Sequence, residues 1–268
     1  VIASKILKKK CKSIGIVTDL PLDIHTRRKF FILKINEFFI KKIDAYIFLT
    51  EDMSQVINSN KKYIVIEGHV DFKMKNMAKF KKKENTNSIC LYAGGLYERY
   101  GIITLIDGFL KAKLKNAELH IYGDGDLKDQ IKEISKTHES IKYFGVVENV
   151  NVIKAELEAD LLINPRPSSG NFTKFSFPSK NLEYMSTGTP VLTTKLPGMP
   201  SEYNQYVYLI NDESEIGVSE ALITIFNKSD AELDRFGQNA KNFVMNKKNN
   251  VVQSQKIIAL AKLLLKGF

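Results

Sequence analysis

The sequence predicts an α/β protein with one complete, doubly wound C-terminal domain preceded by part of another domain. Three observations lead there. Short, continuous, β-branched apolar runs alternate with amphipathic stretches along most of the chain. One polar, lysine-rich break, FKMKNMAKFKKKENTN at 72–87, interrupts that alternation. The strand-like runs are shared unequally across the break, three before it and six after.

In order, strands are expected at 13–20, 45–50 and 63–67, then at 88–93, 117–122, 141–144, 159–164, 190–194 and 206–210. Helices are expected at 102–113, 127–138, 150–158, 178–186, 213–227, 231–246 and 251–266. Strands that are apolar throughout, rather than at every second position, belong to sheets covered on both faces, which are mostly parallel. Their alternation with helices reads as βαβ units. Residues 1–71 then form a partial N-terminal domain and 72–87 a linker. Residues 88–250 form the complete domain, and 251–268 a last helix packing back on the N-terminal part.

The 268 residues, 44% of them apolar, are enough for real cores. Cys11 and Cys90 stand far apart, and His25, His69, His120 and His138 have no metal-ligand spacing, so neither a disulfide framework nor a metal site is expected. No run of about 18 apolar residues occurs, so no transmembrane helix is expected. The net charge is +10, and residues 1–50 hold eleven Lys or Arg against four Asp or Glu, a net of +7. Such a surface meets anionic partners or simply solubilises the chain. No nucleic-acid-binding motif accompanies it. Residues 29–42 (KFFILKINEFFIKK) interleave lysines with bulky apolar groups. That pattern fits a helix lying on a membrane surface, or an ordinary buried helix, which is the plainer reading.

Four motifs carry candidate chemistry. In LYAGGLYERYG a strand ends at Gly94–Gly95 and a helix follows Gly101. Paired glycines let a phosphate approach the backbone, the helix start offers free N–H groups, and Arg99 can reach a phosphate. YGDGDL (122–127) is read as a turn capping the next helix, because a lone Gly-x-Gly is a poor dinucleotide fingerprint. The loop Phe144, Gly145, Val146 can present backbone to a planar base. In SFPSKNLEYMSTGTPV (176–191), Pro178 starts a helix that stops at Gly188. Lys180 and Glu183 are three apart and share a face. A lysine at a helix start suits a diphosphate, and a carboxylate one turn on suits a ribose diol. A surface Lys/Glu pair is the plainer reading of these two alone.

In combination and in this order, these motifs resemble the donor domain of retaining, family 4 type glycosyltransferases, particularly bacterial enzymes of capsule, O-antigen and exopolysaccharide assembly. The resemblance spans about 88–227 and extends more weakly to DAYIFLT (44–50) and VIEGHVD (65–71). It implies a GT-B fold, two Rossmann-like domains facing across a cleft, with the N-terminal one present only in part and its front portion missing. It implies transfer of a hexose-type sugar from a nucleoside diphosphate such as UDP to an acceptor hydroxyl, with retention, in cell-surface polysaccharide synthesis. No cofactor or metal is implied beyond the nucleotide sugar substrate. The partners implied are that donor and a glycan or lipid-linked acceptor, with no nucleic acid. The location implied is cytoplasmic, at most peripheral on the inner membrane face through 29–42.

By the same resemblance, Glu183 holds the ribose, and Gly94, Gly95, Arg99, Ser179 and Lys180 meet the diphosphate. Phe144, Gly145 and Val146 line the base, and Asn171 and Tyr184 border the sugar. No catalytic residue is identified. The sequence departs from the family where Phe175 replaces a glutamate eight residues before Glu183, and where Gly95 and Tyr100 replace an Arg and a Lys. Arg99 and Lys180 are expected to supply the missing charge. These departures leave open a relative that binds nucleotide without catalysing transfer and acts as a partner subunit.

Overall fold

The computed structural model describes residues 11–18, 20, 42–57, 60–80 and 86–266. It has two parallel sheets. The first is small, β1 (Ile14–Val17), β2 (Ala45–Phe48) and β3 (Lys62–Val65) in the order β1-β2-β3, with helix α1 (Asp52–Ile57) after β2. The second has six strands, β4 (Ser88–Ala93), β5 (Ala117–Tyr122), β6 (Ile141–Gly145), β7 (Leu161–Asn164), β8 (Val191–Thr194) and β9 (Tyr208–Ile210). Their spatial order is β6-β5-β4-β7-β8-β9, so the chain winds outward from β4 in one direction and from β7 in the other. Mixed α/β layering and the parallel strands are as the sequence predicts. Helix α1 was not anticipated; it is six residues long and buries only Met53, too little for a periodic signal. The segment 29–42 falls outside the described residues, except that Lys42 is helical.

The second sheet is covered on both faces, which explains its uninterrupted apolar strands. On β4, Cys90 and Tyr92 join one core with helices α2 (Ile102–Ala112), α3 (Lys128–Thr137) and α6 (Glu215–Phe226). Leu91 and Ala93 point the other way, toward α4 (Asn149–Glu158), α5 (Ser179–Thr187) and α7 (Asp230–Lys247). Gly108 allows α2 and α6 to touch, since a Cβ there would lie 2.6 Å from Val218.

One local feature positions the site. β4 pairs with β5 as far as Ala93↔Tyr122, but with β7 only through Cys90↔Leu161 and Leu91↔Leu162. Past Leu91 the two central strands diverge. The Tyr184 hydroxyl of α5 takes β7's place: it accepts from the Ala93 N–H at 2.8 Å and donates to the Ala93 carbonyl at 3.2 Å.

The two lobes are joined by two strands of chain running side by side. Val70 forms a parallel bridge with Asn249, and the Val70 N–H donates to the Lys248 carbonyl at 3.0 Å. Lys248, 6% exposed, places its Nζ 2.7 Å from Glu67 and 2.7 Å from Glu202, tying the end of the first lobe to the second. Helix α8 (Asn250–Leu265) then returns to the first sheet, where Leu260 packs with Ala45, Ile47 and Ile66. The described part of 72–80 lies against the second lobe: a 3-10 turn over Phe72–Asn76 buries Met74, and the Phe80 N–H reaches the Leu157 carbonyl at 3.0 Å. Among the described residues no helix is long and apolar enough to cross a membrane.

Two stability outcomes follow from these contacts. Lys248→Met strands the buried Glu67 carboxylate and is expected to cost about 3–5 kcal/mol in urea unfolding, with part of the loss recovered when Glu67→Leu is added. Wild-type stability in Lys248→Met would refute a structural role for the pair. Tyr184→Phe leaves the Ala93 N–H and carbonyl unpaired and is expected to cost about 1–3 kcal/mol, with faster hydrogen exchange at the Ala93 amide. Unchanged exchange there would show that another group covers those atoms.

Candidate functional site

In a doubly wound sheet, ligands bind beyond the carboxyl ends of the strands, where the winding reverses. Here that place lies between β4 and β7. The loops around it are knitted by backbone bonds: Gly94 N–H to the Tyr122 carbonyl at 3.0 Å, Leu96 N–H to Asp124 at 2.9 Å, and Gly123 N–H to Gly145 at 2.8 Å. Side-chain hydroxyls add to this, Tyr92 to the Gly95 carbonyl at 2.7 Å and Tyr143 to the Gly123 carbonyl at 3.0 Å. Gly123 has φ +136°, and a Cβ on it would lie 1.8 Å from the Gly94 oxygen, so no other residue fits. The YGDG turn therefore braces the Gly94–Gly95 loop as well as leading into α3. Gly94 and Gly95 are half-buried and face the Tyr92 hydroxyl and the Tyr97 and Tyr100 rings, each 3.0 Å from where a Cβ would stand.

Helix α5 meets the end of β4 through Tyr184, and its first turn has no side-chain cap. Ser179 is exposed at its first turn. Lys180 Nζ lies 3.2 Å from Glu183 Oε2, each side chain about one-third exposed (34% and 33%). At that exposure the pair contributes only a few tenths of a kcal/mol, so its geometry does little for stability. Tyr184, expected to border the sugar, instead has no exposed surface, and its hydroxyl is committed to Ala93. The helix turns it inward because it carries the apolar contact between α5 and the sheet. Asn171 opens a 3-10 turn, Asn171–Phe175, and its side chain lies outside the described residues.

At the end of β6, Phe144 is exposed and stacks on Tyr122 with ring centres 4.7 Å apart. Gly145 takes φ +69°, and Val146 is 73% exposed. This loop presents an aromatic face and open backbone on the β6 side of the crevice.

The cations arrange differently from expectation. Arg99 is exposed, its guanidinium 5.1 Å from the Tyr100 ring centre and 5.4 Å from that of Tyr97. Arg166, which sequence reasoning missed, also lies near the Tyr100 ring. Its guanidinium lies 5.9 Å from Tyr100 and 4.9 Å from Phe172, and both terminal nitrogens reach Ser176 Oγ at 3.3 Å. Its Nε is buried without a partner. Burial, and secondarily the positive charge of Arg99, pull its pKa below the usual guanidinium value. The signal was present in the sequence as an arginine between two prolines directly after a strand, at 165–167. Phe175 packs with Tyr46, Phe48 and Met53 of the first lobe.

A hollow of about 870 Å³ lies elsewhere. It opens at the amino ends of β4 and β7, beside Ser88 and Asp160, and contains none of the predicted site residues. Three of its four lysines are engaged, Lys79 with Asp234, Lys228 with Glu232, and Lys241 with the Met77 carbonyl, and Lys75 lies over the Phe72 ring. Volume and chemistry disagree here, and the carboxyl-end crevice has the chemistry.

Comparison with known proteins bears on this crevice. Comparison with curated proteins finds no match. Among solved structures, S. aureus TarM superposes with a TM-score of 0.68 at 19% identity, covering 97% of this chain and 53% of that one. Anabaena HepE in complex with UDP gives 0.74 at 15% identity, covering 97% and 74%. Sucrose-phosphate synthase from Thermosynechococcus elongatus gives 0.75 at 14%, covering 100% and 72%. This chain spans about half the length of TarM. These likenesses show the fold, which is GT-B. The family described as glycosyl transferases group 1 matches residues 73–243, most of the second lobe and well over half of the chain, so the chain belongs to that family.

Proposed function

We propose that this chain binds a nucleoside diphosphate sugar in the crevice between β4 and β7 and transfers the sugar to an acceptor hydroxyl with retention. The observation that carries the reading is the uncapped start of α5, with Lys180 and Glu183 side by side at the point where β4 and β7 part. Glu183 would accept hydrogen bonds from both ribose hydroxyls. Lys180, Ser179 and the α5 amides would meet the diphosphate beside Gly94–Gly95, with Arg166 and Arg99 adding positive charge around Tyr100. The Phe144–Val146 loop would face the base, with uracil the first candidate because HepE is described with UDP.

Departure of the sugar builds negative charge on the diphosphate, and fixed cations and helix amides stabilise it without reorganising. Those side chains can balance the charge with no bound metal. In a same-face substitution the leaving phosphate takes the acceptor proton, so the protein need supply neither nucleophile nor base. A glycan or lipid-linked acceptor, and a role in cell-surface polysaccharide synthesis at the inner membrane face, rest on the sequence resemblance and on the +7 charge of residues 1–50.

Calorimetric titration with UDP and GDP tests the site. One of them is expected to bind at micromolar Kd, with Glu183→Ala, Lys180→Ala and Arg166→Ala each weakening it by about tenfold or more, as loss of a charge-assisted hydrogen bond does. Arg99→Ala should weaken it less, because that guanidinium is exposed. Unchanged binding in both folded Lys180→Ala and Arg166→Ala would overturn the reading.

A second reading, a donor-binding relative without transferase activity, draws on Phe175, which fills the family's carboxylate position with a ring packed on the first lobe. Slow hydrolysis of the nucleotide sugar without acceptor is expected of the enzyme. Tight binding with no hydrolysis would favour the second reading.

A further inference from the structure

Beneath the Lys180–Glu183 pair lies a carboxyl group that neither the sequence motifs nor the fold requires. Glu156, near the end of α4, has no exposed surface. Both of its side-chain oxygens are buried without a conventional hydrogen-bond partner. So is Glu183 Oε1, although Glu183 Oε2 is engaged by Lys180. The Glu156 and Glu183 side chains stand within hydrogen-bonding reach of each other. Two ionised carboxylates there would leave acceptors facing acceptors in a dry interface, which costs several kcal/mol. One proton between them satisfies both.

We propose that Glu156 is a positioning residue: protonated, it donates to Glu183 Oε1 and so holds Oε2 toward Lys180 and the crevice. The proposal rests on the donor-site reading for what Glu183 touches, and on the structure alone for the shared proton.

The groups that act on Glu156 are consistent with this. Burial first, then the negative charge of Glu183, push its pKa up to about 8, against a pull downward from Lys180. Tyr184, the other titratable group facing it from α5, is itself held neutral by burial. On β4, which packs against α4, the titratable Cys90 and Tyr92 lie in the core on the opposite face of the sheet. On α4 itself, Lys154 and Glu158 lie 4.0 Å apart at the surface. Glu156 has no other anchor besides its backbone, whose carbonyl accepts from Thr189 Oγ1 at 2.9 Å.

The sign follows from the shift. Folded protein keeps a proton that the unfolded chain releases near the ordinary value of 4.5, so stability is lost as pH rises from there to about 8. Glu156→Gln keeps a donor and cannot ionise. Its melting temperature should match wild type near about pH 5 and exceed it increasingly toward about pH 8–9. In a Glu183→Gln background the midpoint of that widening gap should move down, because the facing charge is gone. A gap that stays flat with pH, or a midpoint that does not move, would overturn the shared proton.

The positioning role has its own readout, UDP and GDP affinity against pH. Wild-type affinity should fall about tenfold between about pH 7 and pH 9, as the protonated fraction falls. Glu156→Leu, which cannot donate, should bind weakly at both pH values, and Glu156→Gln should restore binding and flatten the profile. A Glu156→Gln profile that declines like wild type would overturn positioning. If neither nucleotide binds at any pH while the melting gap opens as described, the shared proton stands and the donor-site reading falls.

Discussion

Much of this molecule depends on how the middle of the second sheet comes apart. β4 and β7 are hydrogen-bonded at Cys90 and Leu91 and then part, because the chain winds in opposite directions from them. Parting leaves the N–H and carbonyl of Ala93 without a strand partner, and buried backbone groups do not stay unpaired. The Tyr184 hydroxyl covers both. The same contact fixes the rotation of α5, since it turns Tyr184 inward and leaves Lys180 and Glu183 at the crevice. A residue that looks like part of a binding motif is thus a strut that aims the residues beside it.

The rest of the site is built on that aim. Gly123 and Gly125 let the loop after β5 run against the backbone of the loop after β4, so that the Gly94–Gly95 turn is held from below. Glu156 and both its carboxyl oxygens are buried on the α4 side, and Glu183 Oε1 is buried too, while the rest of the Glu183 side chain stays partly exposed. Arg166 fits between Tyr100 and Phe172, which lower the cost of burying a guanidinium by offering ring faces to it. Arg166 brings positive charge to the neighbourhood of Tyr100 from the loop after β7.

Among the described residues the two lobes meet at chain crossings and where Phe175 packs on Tyr46, Phe48 and Met53. Buried Glu67 and Lys248, with exposed Glu202, form an ion cluster beside the Val70–Asn249 bridge, with the Tyr203 and Phe243 rings near the ammonium. A charged cluster tolerates little displacement of its members, so it fixes where the chain passes between lobes. Helix α8 then carries the second lobe's chain back onto the first sheet through Leu260.

Apart from α1, the order of the described strands and helices was legible in the sequence, as were the six-strand second lobe and membership of a glycosyltransferase family, because continuous apolar runs and the SFPSKNLEYM helix are local signals. Ser88–Ala93 and Ala117–Tyr122 could be bounded to the residue, since each runs directly into a glycine or polar turn. That Lys180 and Glu183 share a face was legible too, because helix geometry sets residues three apart side by side whatever surrounds them. What Tyr184 does was not, since only the separation of β4 from β7 decides that its hydroxyl is needed at Ala93. Arg166 and Glu156 were not either. Each acquires its role from residues distant in sequence, Tyr100 and Ser176 in one case and Glu183 in the other. A charge's burial and its partners are properties of packing, and only the tertiary structure sets them.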